Sequence, residues 1–517
     1  MAGERTPNGQ RGVDEDFTAL PLRALADAAL SAARSAGAGH ADLRVHRLLT
    51  QSLRLRDGAV QSVVDADEIG LAVRVLVDGT WGFAAHAELT PDTAAATARR
   101  AVQVAHSLGR LSRERVQWAD EPVYRDAVWV GGHRIDPFSV PTRDKVSLFA
   151  EHSRRLLDAA EVDHVTASCL QVKEQVFYAD LAGSTITQQR VRLHPEFDAV
   201  AVDTAGGFET MRTLAPPTAQ GWEYLLPDAN TGSPDAWDWA EELDRIPGLL
   251  AEKSAAPTVE PGPTDLVVDP TNLWLTIHES IGHATEYDRA IGYESAYAGT
   301  SFATPDLLGT LRYGSEIMQV TADRVQPHGL ATVGYDDDGV ASGSWDLVRD
   351  GILVGYQLDR AFAPKLGLPR SNGCSYADSA HHVPIQRMAN VSLQPDPVRD
   401  TSTAELISRV EDGIYVVGDK SWSIDMQRYN FQFTGQRFYR IRDGELAGQL
   451  RDVAYQATTT DFWGAMEGVG GPSTWLLGGA FNCGKAQPGQ VAAVSHGCPS
   501  ALFRGVNVLN TRAEGGR

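Results

Sequence analysis

The run Leu273-Trp274-Leu275-Thr276-Ile277-His278-Glu279-Ser280-Ile281-Gly282-His283-Ala284-Thr285-Glu286 constrains the fold more than any other stretch of the chain. Asp269 is a good helix N-cap, Pro270 is tolerated at the first helical position, and Leu273, Trp274 and Ile277 fall at helical spacing, so the run begins as a helix. It carries two histidines five residues apart, with Glu279 beside the first. The familiar H-E-x-x-H arrangement uses a spacing of four to aim both imidazoles at one ion. On an ideal helix, five residues place His278 and His283 roughly 140° apart. Either both rings lean inward or the helix bulges. Gly282 removes a side chain from where an ion would sit. The simpler reading is a pair of hydrogen-bonded histidines on a partly buried helix.

A tetrahedral zinc held by two histidines needs a third protein ligand and, for catalysis, an open position for water. Glu286 lies roughly 80° around an ideal helix from His278 and can reach the same side. Cys483, in Phe481-Asn482-Cys483-Gly484-Lys485, sits in a Gly-flanked loop suited to a reactive thiol. From the chemistry the two rank equally, with Cys498 in His496-Gly497-Cys498-Pro499 behind them; Cys169 and Cys374 read as buried thiols. Four cysteines with no C-x-x-C pair do not make a disulfide framework.

At 517 residues, two or three domains are expected. A net charge of −21 and the lack of any Lys/Arg-rich run argue against nucleic-acid binding. No apolar run approaches the ~20 residues that cross a membrane. Met1 to Phe17 is polar without an apolar core, which predicts a loose tail, no signal peptide and a cytoplasmic location.

Beyond the tail, Leu22, Leu25, Ala26, Ala29 and Ala33 predict a helix ending near Gly37. Alternating apolar residues running into Asp57-Gly58 and Asp78-Gly79 predict two hairpins, and Thr90-Pro91 starts an Ala-rich helix reaching about His106. Further helices are expected from about Thr142 to Ala160 and from Ala236 to Leu250, with strands from Val165 to Val202 between them. Pro216 to Pro234 is turn-rich, and Ala255 to Pro263 reads as a linker. The chain is therefore read as α+β: a tail over 1–17, an N-terminal α+β domain over 18–255, and a strand-rich C-terminal domain over 262–517 carrying the metal-binding helix. In the latter, Asp350-Gly351 and Asp443-Gly444 predict hairpins, and Asp336-Asp337-Asp338 is read as a turn, since it lacks the full calcium-loop pattern.

His278-Glu279-x-x-x-His283 with Glu286 downstream, Asn372-Gly373, Arg387-Met388-Ala389-Asn390, Gly413-Ile414-Tyr415 and Cys483-Gly484-Lys485 together resemble the TldD/PmbA metallopeptidase family, in particular its active TldD-type member. The resemblance spans most of the chain. It implies a zinc metallopeptidase in which His278, His283 and Cys483 bind the metal and Glu279 is catalytic. It further implies a cytoplasmic enzyme that cleaves unfolded or extended peptides in an inner cavity and pairs with a related metal-free subunit; a homodimer is the other arrangement considered. Arg387 and Asn390 are candidate substrate-binding residues, since a guanidinium and an amide can pair with peptide backbone; a structural role is the other reading. Where the family often has a Gly-rich stretch after Gly413-Ile414-Tyr415, this chain has Asp419 to Asp425, a difference that bears on substrate preference and pairing. A metal-stabilised scaffold and a small-molecule amidase are the competing functions.

Overall fold

The computed structural model describes residues 12–112, 114–202, 207–226 and 236–514. It is a mixed α+β structure built on two seven-stranded sheets. Every strand of the first sheet lies between His40 and Arg212, and every strand of the second between Gly262 and Asn510. Residues 256–261, inside the stretch read as a linker, connect helix Trp239–Ala255 to strand Gly262–Val268.

Two long hairpins make the first sheet: His40–Arg56 with Ala59–Val77, and His164–Asp180 with Thr185–Val202. They join antiparallel through His40–Arg56 and His164–Asp180. The turns at Asp57-Gly58 and Asp78-Gly79 form where expected, with positive φ at all four residues, the condition for a two-residue turn that matches strand twist. Thr90 caps helix Pro91–Gly109 by accepting a hydrogen bond from the Thr93 N–H at 3.2 Å. Gly82 lets this helix approach the sheet closely, because a Cβ there would lie 2.0 Å from the Ala101 carbonyl oxygen. Helix Trp239–Ala255 runs past Pro247, and helix Thr142–Leu157 stops three residues before the expected end.

Period-two alternation gives the sheet two different faces. Leu43, Val45, Leu71, Val73 and Val75 bury against helices Leu22–Ser35 and Pro91–Gly109. Further along the same face, Leu53, Leu55, Phe197 and Ala199 bury against Thr142–Leu157 and Trp239–Ala255. The other face carries Asp42, Arg44, Arg74, Glu174, Arg190 and Arg192, all buried, and it meets the C-terminal half. Of the segment read as a loose tail, residues 1–11 lie outside the described residues. Glu15–Thr18 is a helical turn with Phe17 fully buried, so order begins earlier than expected. Residues 227–234 of the turn-rich stretch also lie outside the described residues.

In the second sheet, Gly262–Val268 pairs with Asp412–Ile424 and Ala501–Asn510; the latter pairs with Val453–Thr458, which pairs with Asn430–Arg442. Asn430–Arg442 then pairs back onto Asp412–Ile424 and closes a five-strand ring. Phe431, Phe433, Tyr455, Phe462 and Phe503 pack together within the core of this half. The hairpins at Asp350-Gly351 and Asp443-Gly444 form as expected. No helix among the described residues is long and apolar enough to cross a membrane.

The halves are locked by charge. Arg44 pairs with Asp337, and Arg74 reaches Asp42 at 2.9 Å and Asp338 at 2.8 Å. Asp336 accepts the backbone N–H groups of Asp338 and Val340. The acidic run is thus a turn whose carboxylates are taken up by guanidinium and amide groups. Burial works against a charged Asp42, but Arg74 and His40 outweigh it and hold its pKa below the ordinary value. Removing one partner of such a pair leaves a buried charge uncompensated.

Arg74→Met is therefore expected to lower unfolding stability by about 3–5 kcal/mol, read by urea denaturation. Because the folded pKa of Asp42 is depressed, its share is present above the unfolded carboxylate value of about 4 and fades as pH falls below it. The gap between wild type and variant should narrow on acidification; a gap that stays constant would show that Asp42 takes no part.

Candidate metal centre

Helix Pro270–Ile277 leaves strand Gly262–Val268 and is buried on all sides, as its apolar sequence requires. The Asp269 side chain accepts the Thr271 N–H at 3.0 Å and caps it. From His278 the helix widens into a π-turn, His278–Gly282, closed by the His283 N–H donating to the His278 carbonyl at 3.0 Å. This i→i+5 bond is a bulge, one of the two arrangements that the histidine spacing allowed, and it places residues five apart on one face. The two imidazole centroids lie 4.7 Å apart with ring planes at 79°. Gly282 serves a different purpose from the one expected. A Cβ there would lie 2.5 Å from the Met388 sulfur, so the glycine accommodates Met388 packing rather than an ion.

Cys483 joins the pair from 200 residues away. It sits on strand Leu476–Lys485, which pairs with Gln490–Cys498, beside a register shift between Ala480 and Cys483. Such irregularities re-aim side chains. Ligand atoms of His278, His283 and Cys483 all lie within 4.8 Å of one another, and Cys483 Sγ is 3.6 Å from His283 Nε2.

The hydrogen-bond network assigns the ring tautomers. His496 Nδ1 donates to the Val391 carbonyl at 2.8 Å, which leaves Nε2 of the neutral ring to accept from His278 Nδ1 at 2.7 Å. His283 Nδ1 donates to the Glu286 carboxylate at 2.8 Å. Both motif histidines therefore turn an Nε2 lone pair towards the cluster. Burial holds His278, His283 and His496 below the ordinary histidine value, His496 furthest, so all three rings are neutral near pH 7. Burial disfavours a Cys483 thiolate, but neighbouring positive charge, from His283 when it is protonated and from Arg387, outweighs it and holds the thiol below its ordinary pKa. Two neutral imidazoles and a thiol inclined to ionise make a donor set suited to a divalent zinc-type ion.

Glu286 faces its neighbours rather than the ligand cluster. Burial opposes its charge, yet Lys485 and His283 hold its carboxyl well below the ordinary range. Lys485 Nζ in turn reaches Glu286 at 3.1 Å, Asp288 at 2.8 Å and both oxygens of Gln386. Cys498 lies apart: its thiol points to the Pro270 carbonyl at 3.6 Å, and burial raises its pKa well above the ordinary value. Cys169 and Cys374 are buried as expected.

Arg387 and Asn390 are fully buried and do not line the cleft that the cluster faces. The Arg387 guanidinium donates to the Cys483 and Gln490 carbonyls and clamps the hairpin that carries the thiol. Asn390 accepts from Ala331 N–H and Ser495 N–H and donates to the Asp323 carbonyl and Thr332 Oγ1. These contacts fit the structural role rather than contact with substrate. Sequence reading did not single out His496, Lys485 or Arg428 for a role. The first two lie inside stretches already noted for their cysteines, but nothing local marks what they touch.

Glu279 lines a cleft of about 610 Å³ together with His278, His283 and Cys483, and Arg428 Nη1 donates to its Oε2 at 2.6 Å. The opposite wall comes from the N-terminal half through Leu170, His194, Glu196 and Arg212, which the alternation of the first sheet places on its inward face. His194 stacks on Phe481 of the thiol hairpin at 5.8 Å. Asp419, Lys420 and Trp422, the stretch that departs from the family's usual pattern, form another part of the lining.

A buried imidazole–imidazole–thiol cluster beside a carboxylate, opening on a cleft between two sheets, is a candidate metal centre. Comparison with known proteins narrows this. Residues 261–510 match the profile of the PmbA/TldA metallopeptidase C-terminal domain, and residues 41–105 that of PmbA/TldA metallopeptidase domain 1. A metalloprotease of Methanothermobacter thermautotrophicus is 30% identical over 91% of this chain and 96% of its own. A protein of Saccharolobus solfataricus named zinc metalloprotease TldD homolog is 22% identical over 92% of this chain and 98% of its own. The crystal structure of TldE from Thermococcus kodakarensis has the same fold, with a TM-score of 0.67 at 14% identity, covering 93% of this chain and 98% of that one. The chain belongs to the TldD/PmbA metallopeptidase family.

Replacing His496 with Phe keeps a ring in place but removes the acceptor that orients His278. Affinity for zinc should fall by about 10–100-fold, read by competition with a chromophoric chelator. An unchanged affinity would show that His278 needs no such support.

Proposed function

We propose that the protein is a zinc metallopeptidase that hydrolyses peptide bonds in unfolded or extended chains. The observation that carries this reading is the convergence of the His278, His283 and Cys483 ligand atoms beside Glu279 at the wall of a cleft. Three protein donors next to a cleft match the catalytic pattern, whereas a structural zinc site closes its shell with four. This favours an enzyme over a metal-stabilised scaffold. Zinc is further supported by the Saccharolobus relative, which is named a zinc metalloprotease TldD homolog.

His278, His283 and Cys483 would hold the ion, which when bound supplies a Lewis acid and lowers the pKa of water in the site towards about 7. Glu279 is placed to take a proton from the attacking water and later to return it to the leaving nitrogen. His496 and Glu286 keep the two imidazoles in the donor tautomer, and Arg387 holds the thiol hairpin against the motif helix. The cluster residues are buried except where they line the cleft, so they meet solvent from that side.

In this reading residues 262–517 form the catalytic domain, and residues 18–255 supply the facing wall of the cleft. Substrate contacts fall to that wall and to Asp419, Lys420 and Trp422, in place of Arg387 and Asn390. The family resemblance supports a cytoplasmic enzyme paired with a related metal-free subunit, or else with itself. Two observations are compatible with it: the four cysteines are free, and the Ala59–Glu68 stretch of strand Ala59–Val77 is largely exposed and pairs on one side only.

Glu279→Gln should retain zinc by elemental analysis while cleavage of an unfolded peptide falls by at least about 10²-fold. Cys483→Ala should lose the metal and the activity together, and a chelator should abolish cleavage that added zinc restores. An active Glu279→Gln protein, or cleavage indifferent to chelation, would overturn the proposal.

A further inference from the structure

Arg428 is held in an unusual way. It closes the turn between strands Asp412–Ile424 and Asn430–Arg442 with φ at +62°, a left-handed conformation that is strained for a bulky residue and persists only where its surroundings enforce it. Here they do. The Asp425 carboxylate accepts the backbone N–H groups of Gln427, Tyr429 and Asn430 at 2.9–3.1 Å. The Arg428 carbonyl accepts Thr459 Oγ1 at 2.8 Å. Met426 and Gln427 are tied to Thr300 and Phe302 through backbone bonds. A strained turn fixed from three directions delivers one guanidinium to the cleft wall beside His278, Glu279 and Cys483.

That guanidinium is incompletely used. Glu279 is its one ion-pair partner among the described residues, and its Nε is buried without a hydrogen-bond partner. Arg428 Nη1 donates to Glu279 Oε2 at 2.6 Å, which ties the guanidinium to the residue proposed to take the water proton. Charge conservation gives that contact a second use. As the water proton passes to Glu279, the water oxygen forms a bond to the carbonyl carbon and the carbonyl π pair moves onto oxygen. The negative charge leaves the carboxylate and appears on the oxyanion. A fork of donors beside both positions can follow it. When the C–N bond breaks, its electron pair goes to nitrogen, which takes the proton from Glu279; the carbonyl re-forms and the charge returns to the carboxylate.

We propose that Arg428 is a catalytic residue that bonds Glu279 in the resting enzyme and stabilises the carbonyl oxyanion as the peptide bond is attacked. This rests on the reading of the site as a peptidase. It adds a residue with differential affinity for the transition state, the property that raises kcat rather than lowering KM.

The test uses zinc-loaded protein in the assembly that cleaves peptide. The probe is a peptide with a phosphinate, tetrahedral and anionic, in place of the scissile amide. Arg428→Gly removes the guanidinium and relieves the positive φ; Arg428→Lys keeps a charge without the fork. For Arg428→Gly, phosphinate affinity by titration calorimetry and kcat should each fall about 10²–10³-fold, with KM unmoved and zinc content unchanged. Arg428→Lys should fall between Arg428→Gly and wild type, and added guanidinium ion should restore part of the kcat of Arg428→Gly. Unchanged phosphinate affinity in Arg428→Gly with zinc still bound would overturn the proposal. So would loss of zinc or fold in both variants, which would make Arg428 a structural support. A wild-type protein that holds zinc yet neither binds the phosphinate nor cleaves peptide would sink the peptidase reading as well; the first two outcomes leave that reading intact.

Discussion

One backbone hydrogen bond, from His283 N–H to the His278 carbonyl, underlies the arrangement of the site. An α-helical turn would have set the two imidazoles on different sides. The wider turn costs regular helix geometry, and the surrounding burial offsets that cost: every residue of Pro270–Ile277 is buried, and the π-turn itself is packed against Met388 and His496. With the rings on one face, a single distant thiol is enough to complete the donor set.

Around that turn the protein sets direction as well as position. Val391, His496 and His278 form a relay of hydrogen bonds, while Lys485, Glu286 and His283 form a second one from the other side. Each ends on an Nδ1, and each therefore frees an Nε2. Arg387 makes the third support by holding the backbone of Cys483. The three supports come from segments that follow the motif by about a hundred to two hundred residues, so the site is a product of the whole C-terminal half.

The N-terminal half contributes through sheet alternation. Its long strands bury Leu, Val and Ala against four helices on one face, which obliges the other face to meet a partner. Because that second face is rich in charge, the contact is an ion-pair lock of Arg44 and Arg74 onto Asp337 and Asp338 rather than an apolar core. Further along the same face, His194, Glu196 and Arg212 become the far wall of the cleft.

Local chemistry settled much of this in advance. Asp57-Gly58, Asp78-Gly79, Thr90-Pro91 and Asp269-Pro270 carry turn and cap signals that act within a few residues, so hairpins, helix starts, the α+β class and the choice between inward-leaning rings and a bulge at His278–His283 were legible from sequence. The motifs likewise pointed to the family. What depended on residues far apart was not legible. Cys483 and Glu286 ranked equally as donors until the hairpin was placed against the helix. Arg387 and Asn390 stood between substrate contact and a structural role until their buried partners were known, and Gly282 read as space for an ion until Met388 filled it. His496, Lys485 and Arg428 had no local signature, because a hydrogen-bond partner hundreds of positions away leaves no periodicity to detect. Propensity and spacing act along the chain, whereas donor sets, tautomers and cleft walls are set across it, and only the folded structure brings those groups within bonding distance.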